Sequence, residues 1–162
     1  MASTRKQIST AIKGILETVS GVGVVQEYHR YTRSPEGFKE YFTKLVDQYS
    51  REANAWLVCR DSFSQTTAGM PIPQEMREHQ WTIVGYVGLK DSTGSEETFQ
   101  DLVDEIVNAF EARKQLGLPT IVEYVRPPQV PTIDHAWFGP VLCHHCVIQL
   151  AVLERRTIVY AS

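Results

Sequence analysis

Cysteine is scarce in this chain: Cys59, Cys143 and Cys146 are the only three among 162 residues. An odd count with no leader in view predicts reduced thiols rather than a disulfide framework. Long apolar runs are missing as well. None approaches the roughly 20 residues that span a bilayer, and no apolar stretch follows the polar start MASTRKQ. The expectation is a chain made in the cytoplasm without a secretory signal or a membrane partner. Neither sign of charge is in large excess, with 16 Lys and Arg against 19 Asp and Glu. A formal net charge of -3 gives no electrostatic reason for a tight hold on a phosphate backbone. The motifs GxSxG, HExxH and GxxxxGK(S/T) are absent, and so are short-period repeats and low-complexity tracts.

What is present reads as one folded domain spanning residues 1–162. A 43% hydrophobic and 22% charged composition argues against wholesale disorder. The clearest element lies in Gln80–Gly117, a strand, an acidic turn and an amphipathic helix. Phe99, Leu102, Val103, Ile106, Val107 and Phe110 recur at helical spacing, with Asp101, Asp104, Glu105, Asn108 and Glu111 opposite. Thr93 or Ser95 is placed to cap it, Arg113 and Lys114 complement its negative end, and Gly117 with Pro119 stops it. A second helix spans Ser3–Val19, with Ile8, Ile12, Ile15, Leu16 and Val19 as its stripe. Ser34-Pro35-Glu36 signals the start of a short third helix carrying Phe38, Tyr41, Phe42, Leu45 and Val46.

Strands are expected at Val24–Tyr31, Ala53–Phe63, His79–Lys90, Thr120–Val125 and Leu142–Arg155. Two stretches, 64–78 and 126–140, are rich in proline and polar residues and read as long projecting loops. Together these elements predict an α+β fold: a two-layer sandwich with a mostly antiparallel or mixed sheet of four to five strands and two main helices on one face. The strands are apolar on both sides, so the second face needs a cover, either a loop or another subunit. Trp56, Val58, Val84 and Tyr86 are the candidates for that contact. Met70, Pro71, Ile72 and Pro73 in the first loop, and Trp137 and Phe138 in the second, join them as apolar side chains placed for partners.

Chemistry is harder to find. Cys143-His144-His145-Cys146 offers four zinc-ligand types, but on a strand Cys143 and His145 face away from His144 and Cys146. His29, His79 or His135 could complete a site, and Cys143 with His135 could make a thiol–base pair. The spacing requires neither. The turn Lys90–Ser95 is similar to a phosphate loop only on the surface, since Glu96 and Glu97 would repel an anion. No catalytic residue, cofactor or metal is expected.

The order and character of three stretches, RKQISTAIKGILETVSGVGVVQEYHR, HQWTIVGYVGLKDSTGSEETFQDLVDEIVNAFEARKQLG and CHHCVIQLAVLERRTI, carry a resemblance. They resemble the tail terminator (tail completion) proteins of long-tailed bacteriophages, the group that includes the lambda tail terminator. That resemblance implies a structural virion protein, synthesised in the host cytoplasm, whose copies close into a homohexameric ring. The ring caps the tail tube at its head-proximal end, stops its polymerisation and provides the head-tail joining surface. Its implied partners are itself, the tail tube protein and a head-tail connector or neck protein, with DNA passing through the lumen without sequence-specific binding. A neck or head-tail connector ring protein is the nearest alternative, and a small cytosolic zinc or cysteine enzyme is the alternative from another class.

Overall fold

A computed structural model describes residues 2–30, 34–45, 51–67 and 74–157. Helix α1, Thr4–Thr18, begins where Ser3 Oγ accepts the Lys6 amide at 3.2 Å, and it buries Ile8, Ile12, Ile15 and Leu16. Gly21 and Gly23 break it as expected. The strand that follows, β1, is only Val24–Gln26. Helix α2, Pro35–Phe42, starts at the predicted Ser34 cap, whose Oγ accepts the Gly37 amide at 3.0 Å. It stops short of the expected end because Thr43–Leu45 turns extended and pairs as strand β2. Val46 lies outside the described residues.

The remaining elements are β3 (Arg51–Thr67), β4 (Gln74–Gly88), α3 (Ser95–Glu111), β5 (Val122–Val125), β6 (Gln129–Phe138) and β7 (Val141–Thr157). The fold is α+β, and among the described residues its mixed sheet has seven strands, more than the four or five expected. Strands β3, β4 and β7 form its antiparallel centre. Both β1 and β2 line the outer edge of β3, with β1 the parallel member, and both β5 and β6 line the outer edge of β7. The extra strands are thus laid end to end along the two edges.

Both expected loops are largely strand. In the first, Ser64 pairs with Glu78 and the ladder continues to Thr67 and Glu75, so a hairpin arm leaves the body of the sheet. Strand β7 runs beside it as far as Thr157, which gives β4 partners on both sides. Backbone pairing of this kind tolerates polar side chains, because both faces of an arm meet water. Residues 68–73, with Met70, Pro71, Ile72 and Pro73, lie outside the described residues. In the second, Pro131 falls in a register shift between Gln129 and Thr132, on a strand that pairs with β7 alone among the described residues. An edge strand accepts a residue without an N–H at such an irregularity.

Helices α1 and α3 share one face of the sheet. Their stripes meet Trp56 and Val58 of β3, Trp81 and Ile83 of β4, and Cys146, Ile148, Leu150 and Val152 of β7 in one buried cluster. The stripe predicted for α3 is buried at Phe99, Leu102, Val103, Ile106 and Phe110. Its ends differ from expectation. Gly94, at φ 65, takes the N-cap position without a side-chain cap, and Ser95 becomes the first helical residue. The helix ends at Glu111, where Arg113 Nη1 donates to the Ala109 carbonyl at 3.0 Å. Leu116 and Gly117 then turn the chain at positive φ, and burial of the Leu116 side chain in the core offsets that strain.

Asn54 fastens the α1–β1 turn to the sheet. Its Oδ1 accepts the Gly23 amide and Trp56 Nε1–H, each at 2.9 Å, and its Nδ2 donates to the Gly21 carbonyl at 2.8 Å. A Cβ at position 23 would overlap that side chain, so the close approach needs glycine.

Candidate interaction surface

The register of the sheet sorts the residues expected to meet partners. Leu57 pairs with Val84 and Ala55 with Tyr86, so these four share the face away from α1 and α3. Trp56 and Val58 lie on the other face, under the helices, at 0% exposure. They are core residues of the subunit and leave the contact surface. Alternation along β3 separates the two sets correctly, but which set joins Val84 and Tyr86 depends on the pairing register.

The second face is covered in part by the chain itself. Phe38 and Phe42 of α2 pack with Ala55, Leu57, Val84, Tyr86 and Phe138. The Tyr86 and Phe138 rings stack at 4.2 Å and 7°, and the Phe42 and Phe138 rings meet edge to face at 4.8 Å. His145 adds its ring to Tyr86 at 4.8 Å and is held by Asp134 through Nδ1 at 2.7 Å. Phe138 therefore anchors α2 rather than a partner. Beyond this cluster the same face turns polar, with Gln80 and Gln149 exposed and Thr82 donating to Asp61.

Trp137 is different. It is 70% exposed and sits opposite Leu142, itself 36% exposed, beside the tight Gly139-Pro140 turn of the β6–β7 hairpin. Ile133, further along β6, is also exposed. Trp137 and Ile133 on the edge strand β6, with Leu142 beside Trp137 on β7, make an open apolar surface.

The cysteine–histidine run is split as the alternation requires. Cys143 pairs with Ala136, whereas His135 pairs with His144 and its ring lies 5.1 Å from it. Cys143 and His135 thus lie on opposite faces and form no thiol–base pair. Burial pushes the Cys143 thiol up to about 11 and the Cys146 thiol up to about 12, so neither is a thiolate at neutral pH. Among the described residues, no group of three or more His, Cys, Asp or Glu side chains is placed to hold a metal ion.

Ser95 Oγ and His144 Nε2 are 2.8 Å apart. Ser95 Oγ also accepts the Lys90 amide at 2.8 Å, and Thr93 Oγ1 donates to the Lys90 carbonyl, so the 90–95 turn closes on itself. His144 stacks on Phe99 and has no carboxylate hydrogen-bonded to it among the described residues. Burial first, then repulsion from His135, lowers its pKa. A cleft of about 680 Å³ opens beside this turn, with Lys90 and Glu52 paired at 3.3 Å on its wall and Asp101 and Glu105 at its rim. Charges of both signs line it.

The arm carries a cluster that reasoning from sequence alone misses. His79 and Glu154 are buried partners, Nε2 to Oε2 at 2.7 Å. Arg60 Nη1 approaches His79 Nδ1 at 3.4 Å, an arrangement that fits a neutral ring donating through Nε2. Burial dominates and lowers the His79 pKa, with Arg60 and Arg77 opposing protonation and Glu154 favouring it. Phe63, 47% exposed, lies between the guanidinium groups of Arg60 and Arg77, 4.6 and 4.8 Å from its ring centre. The signal was present in the alternation of Arg77 and His79, but residues from three strands converge only once register is known.

Compared with known proteins, no protein-family model matches the chain, and neither does any curated sequence. No helix among the described residues is long and apolar enough to cross a membrane.

Proposed function

We propose that this chain is a structural subunit of a bacteriophage virion, a tail-terminator-type protein whose copies close into a ring on the head-proximal end of the tail tube. The ring, taken as a hexamer, halts tube polymerisation and offers a surface to the head-tail connector or neck protein. DNA passes through its lumen unread. The observation that carries the reading is the open apolar end of the β6–β7 hairpin, with Trp137 at 70% exposure beside Leu142. Apolar area of this kind costs a free monomer about 25 cal/mol for every Å² left in water, which association recovers. A further support is that the three stretches carrying the resemblance contribute α1, β4, α3 and β7, which pack into one core rather than lying apart.

The test combines two measurements. Light scattering after size-exclusion chromatography, across concentration and salt, reads the mass in solution, and growth of purified tail tubes is followed with and without the protein. A discrete ring that arrests growth at one tube end is expected, with association weakened by Trp137→Ser. A strict monomer that leaves tube growth unchanged overturns the reading. Binding to the connector in place of the tube would assign the ring to the neck.

A further inference from the structure

The exposed charges of this chain are unevenly satisfied. Some exposed carboxylates on the sheet and on α1 sit against basic side chains: Glu17 against Lys13, Glu123 against Arg155, and Asp134 against the His145 ring. Helix α3 gathers six exposed carboxylates on one element. Glu96, Glu97, Asp101, Asp104, Glu105 and Glu111 are all exposed, and none has a cation within 4 Å among the described residues. Glu97 and Asp101, and likewise Asp101 and Glu105, stand four residues apart, so like charges lie one above another along the helix.

The arm presents the converse. Arg60 and Arg77 flank the half-exposed Phe63 ring, and Arg5 on the first turn of α1 lies close enough to repel Arg60. None of these three arginines has a carboxylate within 4 Å among the described residues. Arg156, by contrast, is paired to Glu75 and Glu154. Stacking on Phe63 and the Gln65 hydrogen bond at 2.9 Å hold the Arg77 guanidinium in place, so less freedom is lost when it meets a carboxylate.

We infer that the cationic face formed by Arg60 and Arg77 about Phe63 on the arm, with Arg5 of α1 beside it, binds the acidic outer face of α3 on a second copy of this chain. The inference rests on the ring reading and names its subunit contact. The two faces are different surfaces, so the contact is heterologous, which is the kind that propagates around a ring. Charge complementarity sets its register, and Phe63 supplies apolar area at its centre.

The experiment is a charge swap read by sedimentation velocity of the full chain. One variant carries Arg5→Glu with Arg77→Glu, which leaves Arg60 beside His79 untouched. A second carries Asp101→Arg with Asp104→Arg, and a third carries all four. Wild type should associate, and more weakly as salt rises. Each single-face variant should lose association by about tenfold or more, as like charges oppose each other. The four-fold variant should regain it, because the inverted faces match again. Circular dichroism and a cooperative unfolding transition establish that each variant folds. Single-face variants that associate like wild type, or a four-fold variant that stays dissociated, overturn the contact while the ring reading stands. A wild-type monomer at every concentration overturns both. Arm variants that lose binding to a duplex DNA probe with self-association intact would show that the arm serves phosphates, which also overturns the inference.

Discussion

Gly85 offers a sharp test of the packing, because the same substitution elsewhere should have the opposite sign. A Cβ at Gly85 would stand 2.7 Å from Trp56 Cη2 and 2.8 Å from Cε3, well inside van der Waals contact. The indole would have to retreat by about 1 Å, and an interior this dense leaves little room for that. Trp56 is fully buried, its Nε1–H is committed to Asn54 at 2.9 Å, and its ring is stacked against Phe99. Overpacking of this kind costs about 1–3 kcal/mol, and losing the Asn54 bond adds about 1 kcal/mol. Restricting the unfolded chain returns about 0.4–1 kcal/mol. The net for Gly85→Ala is a destabilisation of about 1–3.5 kcal/mol, centred near 2 kcal/mol. At Gly14, in the interior of α1, an added Cβ meets nothing within 4 Å. Gly14→Ala should therefore stabilise by about 0.5–1 kcal/mol. Urea unfolding followed by tryptophan fluorescence resolves both. With m near 2 kcal/mol/M, the midpoint should fall by about 1 M for Gly85→Ala and rise by about 0.3 M for Gly14→Ala. Trp56→Phe removes the outer ring that the added methyl would strike, so the double variant should be less destabilised than the sum by about 1 kcal/mol. Equal effects at the two glycines, or strict additivity of Gly85→Ala with Trp56→Phe, would refute the close packing of Trp56 on Gly85.

Asn54→Ala leaves the Gly23 amide and Trp56 Nε1–H without their acceptor, and should cost about 2–4 kcal/mol in the same assay. His79 and His144 both have pKa values lowered by burial, so the unfolded chain binds more protons than the folded one below about pH 6.5. Their contribution is complete above that pH and is lost as pH falls toward the folded-state values. Stability measured from pH 7.5 to pH 5 should therefore decline, and His79→Gln should flatten the decline; a pH-independent wild type would contradict the burial argument. Ellman's reagent on the native protein should titrate Cys59 ahead of the others, since Cys59 is half-buried whereas Cys143 and Cys146 are fully buried with thiols pushed to about 11 and 12. Fast reaction of all three before denaturation would contradict that order.

Much of the helical layer is legible in the sequence because helical periodicity is local. The stripes of α1 and α3, the Ser34 cap of α2 and the glycine break after α1 each depend on residues within a few turns of one another. The sheet is less legible because its faces are matched across strands. Alternation places Trp56 with Val58 and Val84 with Tyr86, but register makes Leu57 and Ala55, not Trp56 and Val58, the neighbours of Val84 and Tyr86. The two expected loops differ for a related reason. Proline and polar content argue against strands, yet Pro131 is tolerated in a register shift at a sheet edge, and Ser64–Thr67 finds its partners in Glu75–Glu78. Helix α3 departs from its sequence signal at its start because Gly94, free to adopt φ 65, serves as the N-cap position without any side-chain bond.

These corrections move the surfaces that matter to the two ends of the sheet. The middle of the second face is closed by Phe38 and Phe42 on Phe138, so a partner gains little there without displacing α2. One end carries Trp137 and Leu142 on the β6–β7 hairpin, and the other carries Phe63 between Arg60 and Arg77 on the arm. The first end is apolar and lacks charge of its own, so its affinity should depend on area and be insensitive to salt. The arm is charged and partly apolar, so its affinity should fall with ionic strength within the range where the Debye length shrinks below about 10 Å. In the proposed ring these two dependences separate the contacts without further mutation. Salt that dissociates copies from one another while leaving the apolar end able to hold its partner would assign the arm to the subunit contact and Trp137 to the neighbouring component. Salt-insensitive association would assign Trp137 to the contact between subunits instead.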